Sequence, residues 1–279
     1  MKKLTRPIIG LALGSGGSKG LAHIGVIKAL TAHGIPIDMI AGSSVGAMIG
    51  GFYASGLSVE EIEKISWDAN WRMMFSMVDP QFKHGLIGGK KVKTFIEKQL
   101  KVATFEECPI PFTAVATDMQ TGQFVPFHTG SLSSAIRASI SVPLAFKSEE
   151  IDGRMYGDGG LSAPVPVAIL REMGAQIVIA VNLDKHYFNE KRKPAWYDIA
   201  YDSLNILRYH LALENVAEAD IVIDIDTHTS DLLDFFNFVD GTEKIAVGER
   251  ATEEAMSEIK ALIGENKKKK NKKGKKKEK

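Results

Sequence analysis

Two serines stand side by side in Gly42-Ser43-Ser44-Val45-Gly46, at the end of an apolar run. The spacing G-x-S-x-G puts Ser44 in the register of a nucleophile elbow, a crowded strand-to-helix turn that flanking glycines permit and that holds the serine Oγ clear of the backbone. Ser43 is then the variable position. A serine hydroxyl attacks an acyl carbon only when a neighbouring base takes its proton, and two sets of residues could supply that base. In the first, an acid and then a histidine follow the serine along the chain: Asp158 with His186, His210 or His228 fills that order. In the second, Asp158 is itself the base, presented by Gly157-Asp158-Gly159-Gly160, whose small residues let another segment approach closely. Asp-Gly is also the commonest hairpin turn, and G-x-S-x-G arises by chance wherever small residues pack a helix on a strand. Neither stretch decides the chemistry alone.

A third candidate is the run Gly14-Ser15-Gly16-Gly17-Ser18-Lys19-Gly20. Counted from Gly14, the dinucleotide pattern G-x-G-x-x-G finds Lys19 where its last glycine belongs; counted from Ser15, the first glycine is missing. A phosphate loop of the G-x-x-x-x-G-K-[ST] kind fails too, because Lys19 precedes Gly20. An acid for a ribose should follow the end of the second strand, and Asp38 lies near its beginning. What remains is an anion site of backbone N–H groups at a helix start, and an oxyanion is such an anion.

These residues need a frame. Ile8 to Leu13 reads as a strand, and Leu21, Ile24, Ile27 and Leu30 give the following segment a helical period that stops at Gly34. Residues 36–42 read as a second strand and 44–56 as a helix, so Ser44 falls where one becomes the other. Ser58 with Glu61 forms a capping box that opens the next helix, and residues 88–100 read as another. The segments 111–118 and 122–130 read as strands joined around Thr121-Gly122, 133–143 as a short helix stopped by Pro143, and 154–160 as a tight turn. A buried strand over 175–184, a helix over 200–220, a strand over 219–226 and a final helix over 241–263 complete the chain. Strands alternating with helices predict an α/β fold with a mostly parallel sheet covered on both faces, in one domain over residues 1–263. This order counts against the histidine arrangement. In the α/β-hydrolase fold, where the serine, acid and histidine follow in that order, several strands precede the elbow, whereas here one does, and no candidate histidine sits in a glycine-rich loop.

Charge is unevenly spread. The net charge of the 279 residues is +1, yet residues 267–279 hold ten lysines and one glutamate, a net +9 that leaves −8 on the rest. The segment 264–279 reads as a disordered, self-repelling tail. Lysines beside an anionic leaflet contribute about 1 kcal/mol each, which would hold the chain at the periphery of a membrane; nucleic acid would attract the same charge equally well, though no specific nucleic-acid partner is expected, and a passive solubilising tail is the third reading. The single cysteine, Cys108, excludes an internal disulfide framework, fits a reducing cytoplasmic setting, and reads as a small buried hydrophobe. The N-terminal apolar run breaks at Gly14 without forming a signal peptide, and no stretch approaches the ~20 apolar residues of a spanning helix. Leu232, Leu233, Phe235, Phe236, Phe238 and Val239 form either a core-packed segment or an apolar lip.

Taken in order, residues 14–20, 42–46 and 158–160 resemble the signature of the patatin-like phospholipases, and the likeness extends through Leu21–Leu30, Ala116–Gly122, Ala138–Ser148 and Ala219–Ile223. The resemblance implies a three-layer α/β/α fold and a serine acyl hydrolase of lipid esters that works through a Ser-Asp dyad, with no metal or cofactor. It assigns Ser44 as nucleophile within the elbow glycines Gly42 and Gly46, Asp158 as base in a loop with Gly159 and Gly160, and the oxyanion hole to the loop of Gly16, Gly17 and Lys19. Ser15 departs from it, since the family's loop often has glycine there. The same dyad would serve a thioesterase or simple carboxylesterase. A regulator that binds a partner and hydrolyses little is a different class, against which the intact site residues argue.

Overall fold

The computed structural model of the chain describes residues 6–67, 89–143, 145–185, 196–226 and 241–277. Eight strands form one sheet: β1 (Ile9–Leu13), β2 (Met39–Ser43), β3 (Phe112–Asp118), β4 (Phe124–Phe127), β5 (Glu149–Ile151), β6 (Arg154–Gly157), β7 (Ile177–Asn182) and β8 (Ile221–Asp224). Around it lie α1 (Ala22–Ala32), α2 (Val45–Ala54), α3 (Val59–Ser66), α4 (Gly89–Gln99), α5 (Leu132–Ser139), α6 (Val167–Glu172), α7 (Trp196–Val216) and α8 (Gly241–Lys277).

The strands β3, β2, β1, β7 and β8 run parallel in that order. Every residue of β1, β2, β3 and β7 is buried, as expected of apolar runs covered on both faces. Their side chains alternate between two cores. Leu11, Leu13, Ile40, Ile179 and Val181 pack with Ile24 of α1, Met48 and Phe52 of α2, and Ile245 of α8. Ala12, Ala41, Val178 and Ala180 pack with Ile169 and Leu170 of α6 and Ala212 of α7. The result is the three-layer α/β/α arrangement. The small residues fall on the second face, where the sequence shows no strong helical period, and α6 escapes notice there for that reason.

The other end of the sheet is antiparallel, and its pairing brings the site together. Ala114 and Val115 of β3 pair with both β2 and β4, so these two lie on opposite edges of β3. Thr117 pairs with Phe124 of β4 and with Gly157 of β6. β6 therefore occupies the same edge as β2, just beyond Ser43, where β2 has turned away into α2. Because β6 runs antiparallel to β3, its last residue meets the end of β2 head on. The residues that follow these two strands are Asp158 and Ser44.

Two local readings change and one holds. The hairpin turn lies at Asp152-Gly153, between β5 and β6, where both residues have positive φ, 51° and 74°; Asp158-Gly159 is not that turn. The capping box is present, with Ser58 Oγ accepting from the Glu61 N–H at 3.2 Å and Glu61 Oε2 accepting from the Ser58 N–H at 2.7 Å. α8 continues past residue 263 to Lys277, where composition predicts a disordered tail. Lysine costs a helix little, and extending an existing helix avoids the cost of a new nucleus. The apolar stretch 231–239 lies outside the described residues. Among the described residues, no helix is long and apolar enough to cross a membrane.

Candidate active site

Ser44 sits between β2 and α2 with φ 55° and ψ −124°, a conformation that costs a non-glycine residue free energy and persists only where the surroundings enforce it. Here they do. A Cβ on Gly46 would lie 2.1 Å from the Leu13 carbonyl oxygen, and one on Gly42 would lie 2.4 Å from the Gly46 carbonyl oxygen. A side chain at Gly46 would push the elbow off β1, and one at Gly42 would push the start of α2 off β2. The Ser44 N–H donates to Ser139 Oγ at 2.8 Å, and Ser139 Oγ donates to the Val115 carbonyl, so α5 ties the turn to β3.

The Ser44 hydroxyl donates to Asp158 Oδ2 at 2.6 Å. The other carboxylate oxygen, Oδ1, accepts from the Gly160 N–H at 2.7 Å. The backbone of Asp158 is also held: its N–H donates to Ser141 O at 3.1 Å, and its carbonyl accepts from Thr117 Oγ1 at 2.7 Å. A Cβ on Gly159 would fall 2.1 Å from Val115 O and 2.6 Å from Ser43 Oγ, so this glycine lets the loop lie flat on the end of the sheet. Burial pushes the Asp158 carboxyl up to about 6, against the opposing pull of its hydrogen bonds from Ser44 and Gly160 and the charge of Arg208. A carboxylate with that proton affinity is a better base than a solvated one and is still mostly ionised at neutral pH.

Beside this pair runs the glycine-rich loop. Gly14 and Ser15 spend their N–H groups on Val181 O and Pro164 O, at 3.1 and 2.8 Å. Among the described residues, the N–H groups of Gly16 and Gly17 have no partner, and Gly16 lines the same cavity as Ser44 and Asp158. Lys19 does not join them. Its Nζ donates to Leu183 O at 3.3 Å and lies 3.6 Å from Asp184 Oδ1, and burial lowers its pKa; it anchors the loop to the end of β7. His23, wholly buried, donates from Nε2 to Gly14 O at 2.8 Å. Burial drives its pKa down to about 4, so it is a neutral brace under the loop.

His210, the candidate histidine among the described residues, stays apart from the site. His210 is exposed on α7 against the ring of Tyr209, and His186 and His228 lie outside the described residues. Cys108 is half-buried, and burial raises its thiol to about 11, consistent with a packed hydrophobe. One site residue escaped the sequence reading. Arg208 of α7 lines the cavity together with Leu204 and Leu207. Its signal was the i, i+4 series Leu204, Arg208, Ala212, which places a cation on the helix face that packs inward. Val142, Pro143 and Leu161 complete an apolar wall opposite.

A hydroxyl on a buried carboxylate, unpaired amides alongside and an apolar cleft above are the components of acyl transfer in an α/β protein. The sequence matches the patatin-like phospholipase family over residues 11–171, and the chain belongs to that family. It is 41% identical over 179 residues to an uncharacterised NTE family protein of Mycobacterium tuberculosis, covering 64% of this chain and 49% of that one. A lysophospholipase of Lodderomyces elongisporus is 33% identical over 191 residues, 64% of this chain and 13% of its own. The chain thus spans about half or less of these curated relatives. Among solved structures, VipD of Legionella pneumophila superposes with a TM-score of 0.54 at 13% identity, covering 92% of this chain and 67% of VipD, a likeness of fold.

Proposed function

We propose that the protein is a serine acyl hydrolase of lipid esters in which Ser44 is the nucleophile and Asp158 the base. The 2.6 Å hydrogen bond between Ser44 Oγ and a buried Asp158 carries this reading. Asp158 takes the hydroxyl proton as Oγ bonds to the ester carbonyl carbon, and the carbonyl oxygen becomes an oxyanion facing the free amides of Gly16 and Gly17. α2 adds the positive end of its dipole at Ser44. As the tetrahedral intermediate collapses, the C–O bond to the alcohol breaks and Asp158 returns the proton to that oxygen. Asp158 then deprotonates a water as its oxygen bonds to the acyl carbon of acyl-Ser44; the bond from that carbon to Ser44 Oγ breaks, Asp158 returns the proton to Oγ, and the carboxylic acid leaves. The apolar wall of the cleft suits an acyl chain, and the lysophospholipase among the relatives supports a lipid ester as substrate.

A fluorophosphonate probe should label the wild-type chain at Ser44, located by mass spectrometry. Ser44→Ala should remain folded, take up no label and lose turnover of a fatty-acyl ester by roughly four orders of magnitude. Labelling elsewhere, or full turnover in the variant, would refute the assignment.

A further inference from the structure

The family match ends at residue 171, before the third side of the cleft, which α7 supplies. Its Arg208 side chain is only 14% exposed, and its guanidinium is held at two points by Asp184, two residues beyond β7. Nη1 lies 2.8 Å from Oδ2, and Nη2 donates to Oδ1 at 3.0 Å. Paired contacts of this kind fix the plane of a guanidinium as well as its position. Nη2 also donates to Asn205 Oδ1 at 3.2 Å. From this seat Nη1 reaches Ser15 Oγ at 3.4 Å. Ser15 in turn presses on the loop of the base, since a Cβ on Gly160 would lie 2.8 Å from Ser15 Oγ. Gly160 is the residue whose N–H orients Asp158 Oδ1. The contacts therefore run from the end of β7, through α7 and the glycine-rich loop, to the carboxylate.

Asp184 faces two cations, Arg208 and, at 3.6 Å, Lys19, and Asp226 sets a second negative charge near Lys19; of these groups it is Arg208 whose charge acts on Asp158. Resting on the reading of Ser44 and Asp158 as the reacting pair, we propose that Arg208 is a positioning residue for hydrolysis. Clamped on Asp184, it braces Ser15 and the Gly160 loop, and its charge adds to the hydrogen bonds that favour the carboxylate form of Asp158. Burial works the other way on Asp158, and Arg208 opposes it from across the cleft. Another charged neighbour among the described residues is Arg137 of α5, behind Ser141: it donates to Ser141 Oγ at 2.6 Å and to Lys147 O at 2.9 Å and faces Glu149. When Ser44 gives up its proton, Asp158 becomes neutral and the negative charge moves to the acyl oxygen beside Gly16. Arg208 borders both places, so its field is kept through the step.

The test is the pH dependence of kcat and KM for a water-soluble short-chain p-nitrophenyl ester, measured on the full chain with Arg208→Gln and Arg208→Lys. Arg208→Gln should lower kcat roughly ten-fold or more with KM little changed, and the acidic limb of its kcat profile should move to higher pH, because the cation favouring the carboxylate is gone. Arg208→Lys keeps the charge and loses the two-point clamp, so its limb should stay at the wild-type position while kcat is only partly restored. A merely structural arginine would lower kcat in both variants without moving the limb, and that result would overturn the proposal, as would wild-type kcat and limb in Arg208→Gln. Should Arg208→Gln fail to fold, an Arg208→Lys limb displaced to higher pH is the overturning outcome. Ser44→Ala, assayed alongside, separates the two ideas: turnover surviving there defeats the nucleophile assignment, whereas an inactive Ser44→Ala with an unaffected Arg208→Gln defeats only the role of Arg208.

Discussion

Ser44 and Asp158 reach each other from two differently built parts of one sheet. β1 and β2 are parallel and buried at every residue, and the elbow after β2 is held by backbone against backbone, with no room for a side chain at Gly42 or Gly46. β4, β5 and the first half of β6 are short and partly exposed, and the chain enters β6 through a turn open to solvent. Asp158 owes its place to long-range pairing, β6 taking up the edge of β3 that β2 leaves. It owes its proton affinity to burial. The parallel half thus supplies rigid geometry, while the antiparallel half supplies a strained charge. A catalytic pair needs both, and substitutions can separate them.

The largest effect is expected where backbone meets backbone. In Gly46→Ala the new methyl must displace the Leu13 carbonyl from 2.1 Å, and neither strand nor elbow can move without opening the core. A loss of about 3 kcal/mol or more in unfolding free energy, with ester turnover abolished, is expected from such overpacking. Gly159→Ala meets Val115 O at the same distance and should behave alike, because the loop of the base is as tight as the elbow at that one point. Denaturant unfolding compares them. Near-wild-type stability in either variant would mean that the contact is soft.

Asp158→Asn separates charge from shape. The folded carboxyl titrates near 6 against an ordinary 3.8, so its ionised form is disfavoured by folding. For a carboxyl whose pKa is raised, this cost is absent below the unfolded value, grows as pH rises through the interval, and is complete above the folded value. Roughly two units correspond to about 3 kcal/mol. Asp158→Asn should therefore match the wild type in stability at pH 4 and exceed it by up to about 3 kcal/mol at pH 8, while losing ester turnover at both. A constant difference across that range would show that Asp158 is not a strained charge.

Legibility in the sequence follows the same division. The parallel half announces itself through apolar runs, helical periods and glycine spacings, all local signals, and Ser44 was placed from them. The partner was not placed by local signals: Gly-Asp-Gly-Gly looks like a hairpin turn, and only the resemblance to a family singled out Asp158 as a base. That β6 would share an edge of β3 with β2 depends on pairing between residues about forty positions apart, which no window of sequence contains. Arg208 was missed for a related reason. A lone arginine in a 21-residue helix carries no motif, and its meaning comes from Asp184 and Ser15, brought there by the sheet. Lys19 shows the opposite case: its motif position is legible in the sequence, while the direction of its side chain, toward Leu183 and Asp184, is not.

The smallest effect is expected at the other Asp-Gly pair. Gly153 has φ 74° with nothing within 4 Å of where a Cβ would stand, and Asp152 before it also has positive φ. Gly153→Ala should cost about 1 kcal/mol, the usual cost of a side chain in the left-handed region, and leave ester turnover within about two-fold of wild type. The dipeptide is the same as at 158–159 and the sequence distance is six residues, so the contrast isolates what surrounds the glycine from what it is. If Gly153→Ala abolished turnover as Gly159→Ala should, the hairpin would belong to the rigid frame of the site, and the division between a fixed elbow and a tethered carboxylate would fail.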